Sequence, residues 1–214
     1  DLIHRQQSAL ESMANLLNAL LDITKLESGN IRPNLEVVPV ADVLADLQQQ
    51  FEAVATSRNL ALTIAPTSLC LRTDRILFRQ VLQNLLNNAL QYTREGGVTV
   101  SFGEDATGFS IRIADTGVGI PAPELDRVFD EYYRLDATGP RPRGFGLGLT
   151  IVRQISRLLG YTVKVESELG RGTTFALHVP ARHLVATPVA ADVQPGPRRA
   201  RPDVPKPAVL IVED

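Results

Sequence analysis

Residues 74–93 read DRILFRQVLQNLLNNALQYT, a run in which apolar residues recur at helical spacing around three asparagines. At about 100° per residue, Phe78, Leu82, Leu85, Leu86 and Ala89 share one side of a helix, and Asp74 is placed to cap it. Gln80, Asn84, Asn88 and Gln91 form a narrow stripe on the other side, with Asn87 at its margin. A helix so patterned must bury its apolar side on another layer, and here that layer is a sheet. Asparagine is a mediocre helix former because its amide competes for backbone hydrogen bonds. A buried amide without a partner costs about 1–3 kcal/mol. The stripe is therefore aimed either at water or at a specific polar partner, and the helix alone does not decide which.

The surrounding pattern supplies the sheet. LEVVPV, LALTIA and LCLRT read as short strands, and residues 41–59 as a helix. GGVTVSFGED with GFSIRIAD, and YTVKVESE with TTFALHVP, alternate like two hairpins, with GLTIVRQISRLLG between them as a helix. The expected fold is an α/β (α+β) two-layer sandwich, with a mixed, mostly antiparallel sheet covered by helices on one face. Ahead of it, Leu10, Met13, Leu17, Leu20 and Thr24 mark residues 1–30 as a long helix of coiled-coil type. Its apolar stripe calls for a partner, either a second copy in a homodimer or the globular domain itself. Residues 184–207 are rich in Pro, Ala and Val and read as a linker, in which Arg198, Arg199 and Arg201 are solvated charges. Residues 208–214, AVLIVED, look like the start of another strand, so both ends read as parts of a longer protein.

Composition narrows the function. Across 214 residues the net charge is −2, and no apolar run approaches the roughly 18–20 residues needed to cross a membrane. Near-neutral charge and 5% aromatic residues argue against nucleic acid as a direct partner. The single cysteine, Cys70, excludes an internal disulfide and is expected as a small buried hydrophobe.

Three glycine-bearing segments then change the meaning of the asparagine stripe. DTGVGIP (residues 115–121) follows a strand, so Asp115 stands at a strand end as an acceptor while Gly117 and Gly119 permit close backbone approach. GFGLGLTIV (residues 144–152) sets Gly144, Gly146 and Gly148 at the mouth of a helix, where free amides favour an anion. ELGRGTTF (residues 168–175) places Gly170 and Gly172 between two strands. Each alone is ordinary turn chemistry.

In this order and spacing, NLLNNALQYT, DTGVGI, FDEYYR, GFGLGL and GRGTTF resemble the N, G1, F, G2 and G3 boxes of sensor histidine kinases, within the wider superfamily of gyrase, heat-shock chaperone and mismatch-repair ATPases. The resemblance covers residues 31–183 as a catalytic ATP-binding domain. Residues 1–30 resemble the second helix of a dimerisation and histidine-phosphotransfer hairpin, and residues 208–214 the first strand of a receiver domain, which together describe a hybrid kinase. The resemblance implies ATP and Mg²⁺ as cofactors, with Asn88 as the metal ligand through its amide oxygen and Asn84 supporting the phosphates. It implies that Asp115 accepts from the adenine amino group, with Tyr92 packed near the base. It further assigns Gly117, Gly119, Ile120, Phe129, Tyr133, Arg134, Arg143, Gly144, Gly146, Leu147, Gly148, Leu149 and Thr173 to the ATP site. Residues 129–147 would form a lid over ATP, where Arg141 or Arg143 either reaches a phosphate or is a solvated charge.

The implied reaction is phosphoryl transfer to a histidine on the dimerisation domain, with relay to a receiver aspartate in cis or to a response regulator. His4 lacks a following Glu and is not expected to be the acceptor, and His178 and His183 are expected to be structural. In the related ATPases a glutamate one turn before the metal asparagine activates water, and Asn84 has no such chemistry. A hydrolase, a serine kinase and a non-catalytic scaffold remain the competing readings. Gln91 where the family often carries Lys, Phe145 for a small Thr or Ser, and Tyr132 for Phe are the departures from the pattern. A cytoplasmic location is expected for these residues, with membrane anchoring of the longer protein left open.

Overall fold

The computed structural model describes residue 17 and residues 31–134 and 146–185. The coiled-coil-type helix apart from Leu17, His4, the lid residues Arg141, Arg143, Gly144 and Phe145, the linker from residue 186 and the receiver-like strand lie outside the described residues.

Five strands form the main sheet: β2 (Ala61–Ile64), β4 (Gly97–Asp105), β5 (Gly108–Asp115), β6 (Thr162–Glu168) and β7 (Gly172–Pro180). Their order is β2-β4-β5-β7-β6, with β2 parallel to β4 and every other pair antiparallel. Residues 106–107 link β4 to β5 and residues 169–171 link β6 to β7, making the two hairpins that alternation anticipates. The pairing of β5 with β7 joins those hairpins into one sheet. Helices α1 (Val40–Ser57), α2 (Arg75–Tyr92) and α3 (Gly148–Leu159) lie on one face. Among the described residues no helix covers the opposite face, which carries small or polar residues such as Thr99 and Arg112, both exposed.

A second sheet of three strands was not anticipated. It consists of β1 (Glu36–Pro39), β3 (Cys70–Thr73) and β8 (Leu184–Val185), with β3 in the middle and both neighbours antiparallel. β1 and β3 are four residues each, and each passes at once into a helix, so neither can extend to the main sheet. Leu184 and Val185, at the expected start of the linker, instead pair with Leu71 and Cys70. Cys70 is half-buried rather than buried, because the alternation of β3 turns Leu71 and Thr73 inward and Cys70 with Arg72 the other way.

Helix α2 is the spine of the core. Phe78, Val81, Leu82, Leu85, Leu86, Ala89 and Leu90 are all buried on it. Asp74 caps it as expected: Oδ1 accepts from the amides of Ile76 and Leu77, each at 3.0 Å, and Oδ2 from the amide of Asn34 at 2.8 Å. Asp74→Ala should therefore lower stability by about 1–2 kcal/mol, measured as a shift in the urea unfolding midpoint. No helix among the described residues is long and apolar enough to cross a membrane.

Candidate functional site

On the helix-covered face, residues directly opposite one another across β4, β5, β7 and β6 form rows. Phe102, Ile111, Leu177 and Val163 make one such row, and Val100, Ile113, Phe175 and Val165 the next. These are core residues. The following row is Val98, Asp115, Thr173 and Ser167, so the apolar layer ends in three polar side chains at one end of the sheet. The amides of Gly117 and Thr173 donate to Oδ1 of Asp115 at 2.8 and 3.2 Å. Burial pushes the Asp115 carboxyl above its ordinary value, an effect that these two amide hydrogen bonds partly offset. Oδ1 is thereby occupied, and Oδ2 remains as an acceptor.

The 115–121 segment is held on both sides. The amide of Val118 donates to the carbonyl of Tyr92 at 3.3 Å, which docks the segment on the end of α2. On the other side, the amide of Gly170 donates to the carbonyl of Val118 at 2.7 Å and that of Ile120 to Ser167 Oγ at 2.8 Å. Gly119 has φ +71°, and a Cβ there would stand 2.1 Å from the carbonyl oxygen of Glu168. Only glycine permits that approach. The side chain of Ile120 is buried in the core.

Helix α3 builds the other end. No side chain caps it, and its first internal bond runs from the amide of Ile151 to the carbonyl of Leu147 at 3.0 Å. The amides of Gly148, Leu149 and Thr150 are therefore not used by the helix, and the helix dipole adds positive character there. A Cβ on Gly148 would lie 3.5 Å from Asn84 Oδ1, so Asn84 sits beside this helix mouth. The Asn84 amide nitrogen donates to the carbonyl of Gln80 at 3.0 Å, which orients the amide. Asn88, one turn further on, is half-buried and makes no side-chain hydrogen bond among the described residues. Asn84, Asn88 and Tyr92 follow at four-residue steps, so they span about 12 Å along α2 from the α3 mouth to the Asp115 segment.

Other expected site residues take structural positions. Phe129 is buried and meets Phe175 edge-on at 6.2 Å, and Leu147 is buried as well. The carbonyl of Phe129 accepts from Thr150 Oγ1 at 3.1 Å, which ties the 129–134 segment to α3. The hydroxyl of Tyr133 donates to Glu124, and the guanidinium of Arg127 lies 4.4 Å from its ring centroid. Arg134 is half-buried, and Gly146 lies against the backbone of Tyr132 and Tyr133. His183 contacts the carbonyl of Arg72 at 3.2 Å and the Tyr161 ring edge-on, and His178 lies 3.4 Å from Thr107 Oγ1. Ser167 is the residue that sequence reasoning missed. Its signal was available, because Val163 and Val165 face inward and the same period brings a serine to the next inward position.

A polar row that offers a carboxylate acceptor, an uncapped helix mouth and an asparagine helix bridging them thus lie together at one end of an α/β sandwich. The chain belongs to the family of histidine kinase-, DNA gyrase B-, and HSP90-like ATPases, whose family model matches residues 73–183, more than half of the chain. Within it, these residues form an ATP-binding catalytic domain of the sensor histidine kinase type. The chain is 33% identical over 213 residues to the aerobic respiration control sensor protein ArcB of Escherichia coli (strain K12), which covers 95% of this chain and 26% of that protein. It is 31% identical over 216 residues to the autoinducer 2 sensor kinase/phosphatase LuxQ of Vibrio parahaemolyticus serotype O3:K6 (strain RIMD 2210633), covering 95% of this chain and 25% of that protein. Full-length ShkA, solved in complex with AMPPNP, superposes with a TM-score of 0.72 at 27% identity, over 82% of this chain and 36% of that one. The chain thus spans about a quarter of the length of these two curated relatives.

Proposed function

We propose that this domain binds Mg²⁺-ATP and presents its γ-phosphoryl group to a histidine on a dimerisation domain, for relay to a receiver aspartate in cis or on a response regulator. The observation that carries the proposal is the bridge made by α2: Asn84 beside the open mouth of α3, Asn88 with no side-chain hydrogen bond among the described residues, and Tyr92 under the Asp115 segment. Asp115 Oδ2 accepts from the adenine amino group. The amides of Gly148 and Leu149 bind phosphate oxygens, with Asn84 beside them.

Asn88 offers a hard, neutral amide oxygen to Mg²⁺, which would neutralise phosphate charge when bound. Among the described residues no group of three or more His, Cys, Asp or Glu could hold a metal alone. One amide plus phosphate oxygens suits a metal that arrives with its nucleotide. Asn84 cannot deprotonate water, which favours transfer to a positioned histidine over hydrolysis. Homodimerisation through residues 1–30 would bring that histidine within reach.

Calorimetric titration with ATP is expected to give binding that depends on Mg²⁺, without steady multiple-turnover hydrolysis. Absence of binding would favour a non-catalytic scaffold, and sustained turnover would favour the ATPase reading.

A further inference from the structure

Ser167 lies at the centre of a closed hydrogen-bond set that the reaction itself does not call for. Its Oγ accepts from the amide of Ile120 at 2.8 Å, donates to the carbonyl of Gly172 at 2.8 Å and lies 2.9 Å from Thr173 Oγ1. A hydroxyl has one proton, and the Gly172 carbonyl can only accept. The Ser167 proton is therefore committed to Gly172, and Thr173 must be the donor in the pair of hydroxyls. That contact uses the only hydroxyl proton of Thr173. The amide proton of Thr173 is used as well, in its bond to Asp115 Oδ1 at 3.2 Å. Asp115 and Thr173 stand directly opposite each other in the polar row. Together they present acceptors to a ligand, Asp115 Oδ2 and a lone pair of Thr173 Oγ1, and no donor.

Resting on the nucleotide reading above, we propose that Ser167 is a specificity-determining positioning residue, which holds the Thr173 hydroxyl proton away from the base and so selects a purine with an amino group at position 6 over one with an oxo group. An amino group donates to both acceptors. An oxo group would set a third acceptor against them, and the N1–H that accompanies it offers one donor where the amino group offers two, so a polar group is left unpaired. Without Ser167, the Thr173 hydroxyl can rotate and donate toward an oxo group. The discrimination thus depends on a side chain that reaches the base only through another.

The test is calorimetric titration of the whole chain with ATP and with inosine triphosphate, which carries the oxo group and an adjacent N1–H where ATP has the amino group and an N1 lone pair. Ser167→Ala is expected to reduce the ATP-to-inosine triphosphate affinity ratio about tenfold. Ser167→Thr keeps the hydroxyl and the strand preference, and should restore the wild-type ratio. Ser167→Cys, with a weaker donor and acceptor, should shift the ratio in the same direction as alanine but less, and it serves if the alanine variant does not fold. A ratio unchanged in both the Ala and Cys variants, whatever their thermal stability, would reduce Ser167 to a structural support and overturn the proposal. Failure of the wild type to bind ATP at all would overturn the nucleotide reading and this inference together.

Discussion

Replacing Asp115 with asparagine is expected to weaken ATP binding by about 100-fold or more while leaving the folded domain as stable as the wild type at pH 7, or more so. The asymmetry follows from the two oxygens of the carboxylate. Oδ1 accepts from two backbone amides, so the asparagine must place its own oxygen there to keep those bonds. Its NH₂ then takes the Oδ2 position, where, on the function proposed above, a donor would face the donor of the adenine amino group. The binding loss is the cost of an unpaired buried donor, and it is read directly by calorimetry. Stability moves the other way because burial raises the Asp115 carboxyl above its ordinary value.

With that sign, the folded state holds the proton more tightly than the unfolded chain. The contribution of Asp115 to stability is therefore fully present in acid, and it is lost as the pH rises through the window between the ordinary carboxylate value and the raised one. Asp115→Asn removes that fall. Unfolding midpoints measured from acid to neutral pH should show a flatter profile in the variant, and an Asp115→Asn protein less stable than wild type at pH 7 would contradict the account.

The second large effect is expected from Gly172→Ala. Gly172 opens β7 opposite Glu168 and has φ +108°. An added Cβ would stand 1.9 Å from the carbonyl oxygen of Asp115 and 3.0 Å from the Cα of Thr116. Both neighbours are backbone, so the clash is relieved only by moving β5 away from β7 at the polar row. The expected loss is about 3–5 kcal/mol of stability, with loss of nucleotide binding in whatever folds. Gly170→Ala is the internal control: φ is +79°, but nothing lies within 4 Å of the added Cβ. That change should cost only the strain of its backbone conformation, about 1 kcal/mol. Equal losses in the two variants, measured by urea unfolding, would show that backbone angle rather than the approach of Asp115 governs this turn.

Strands, helices and hairpins were legible in the sequence because alternation and helical spacing are local signals. GFSIRIAD runs over the same residues as β5, and Asp74 caps α2 as its position suggests. The pairing of β5 with β7, the parallel contact of β2 with β4 and the small sheet around β3 were not, since each joins segments far apart along the chain. Motif membership also marks a position without saying which atoms it offers. Phe129, Leu147 and Ile120 stand in motif segments, yet their side chains are core residues and only their backbone is available to a ligand. Asn84 is the converse case. The helical wheel placed it on the polar stripe, but its neighbour across the site, Gly148, follows 64 positions later and meets it only through the packing of α3 on α2.

The small sheet has a mechanical consequence. β1, which receives the chain from residues 31–35, and β8, the last described strand, both pair with β3 and with no strand of the main sheet. A push or twist delivered from either flank therefore bears on one four-residue strand, Cys70–Thr73. The next residue is Asp74, the cap of the helix that carries Asn84 and Asn88. β3 is thus a shared lever arm: movement from either flank reaches, through α2, the end of the site beside the mouth of α3, and β8 also passes back through residues 181–183 to β7 of the main sheet.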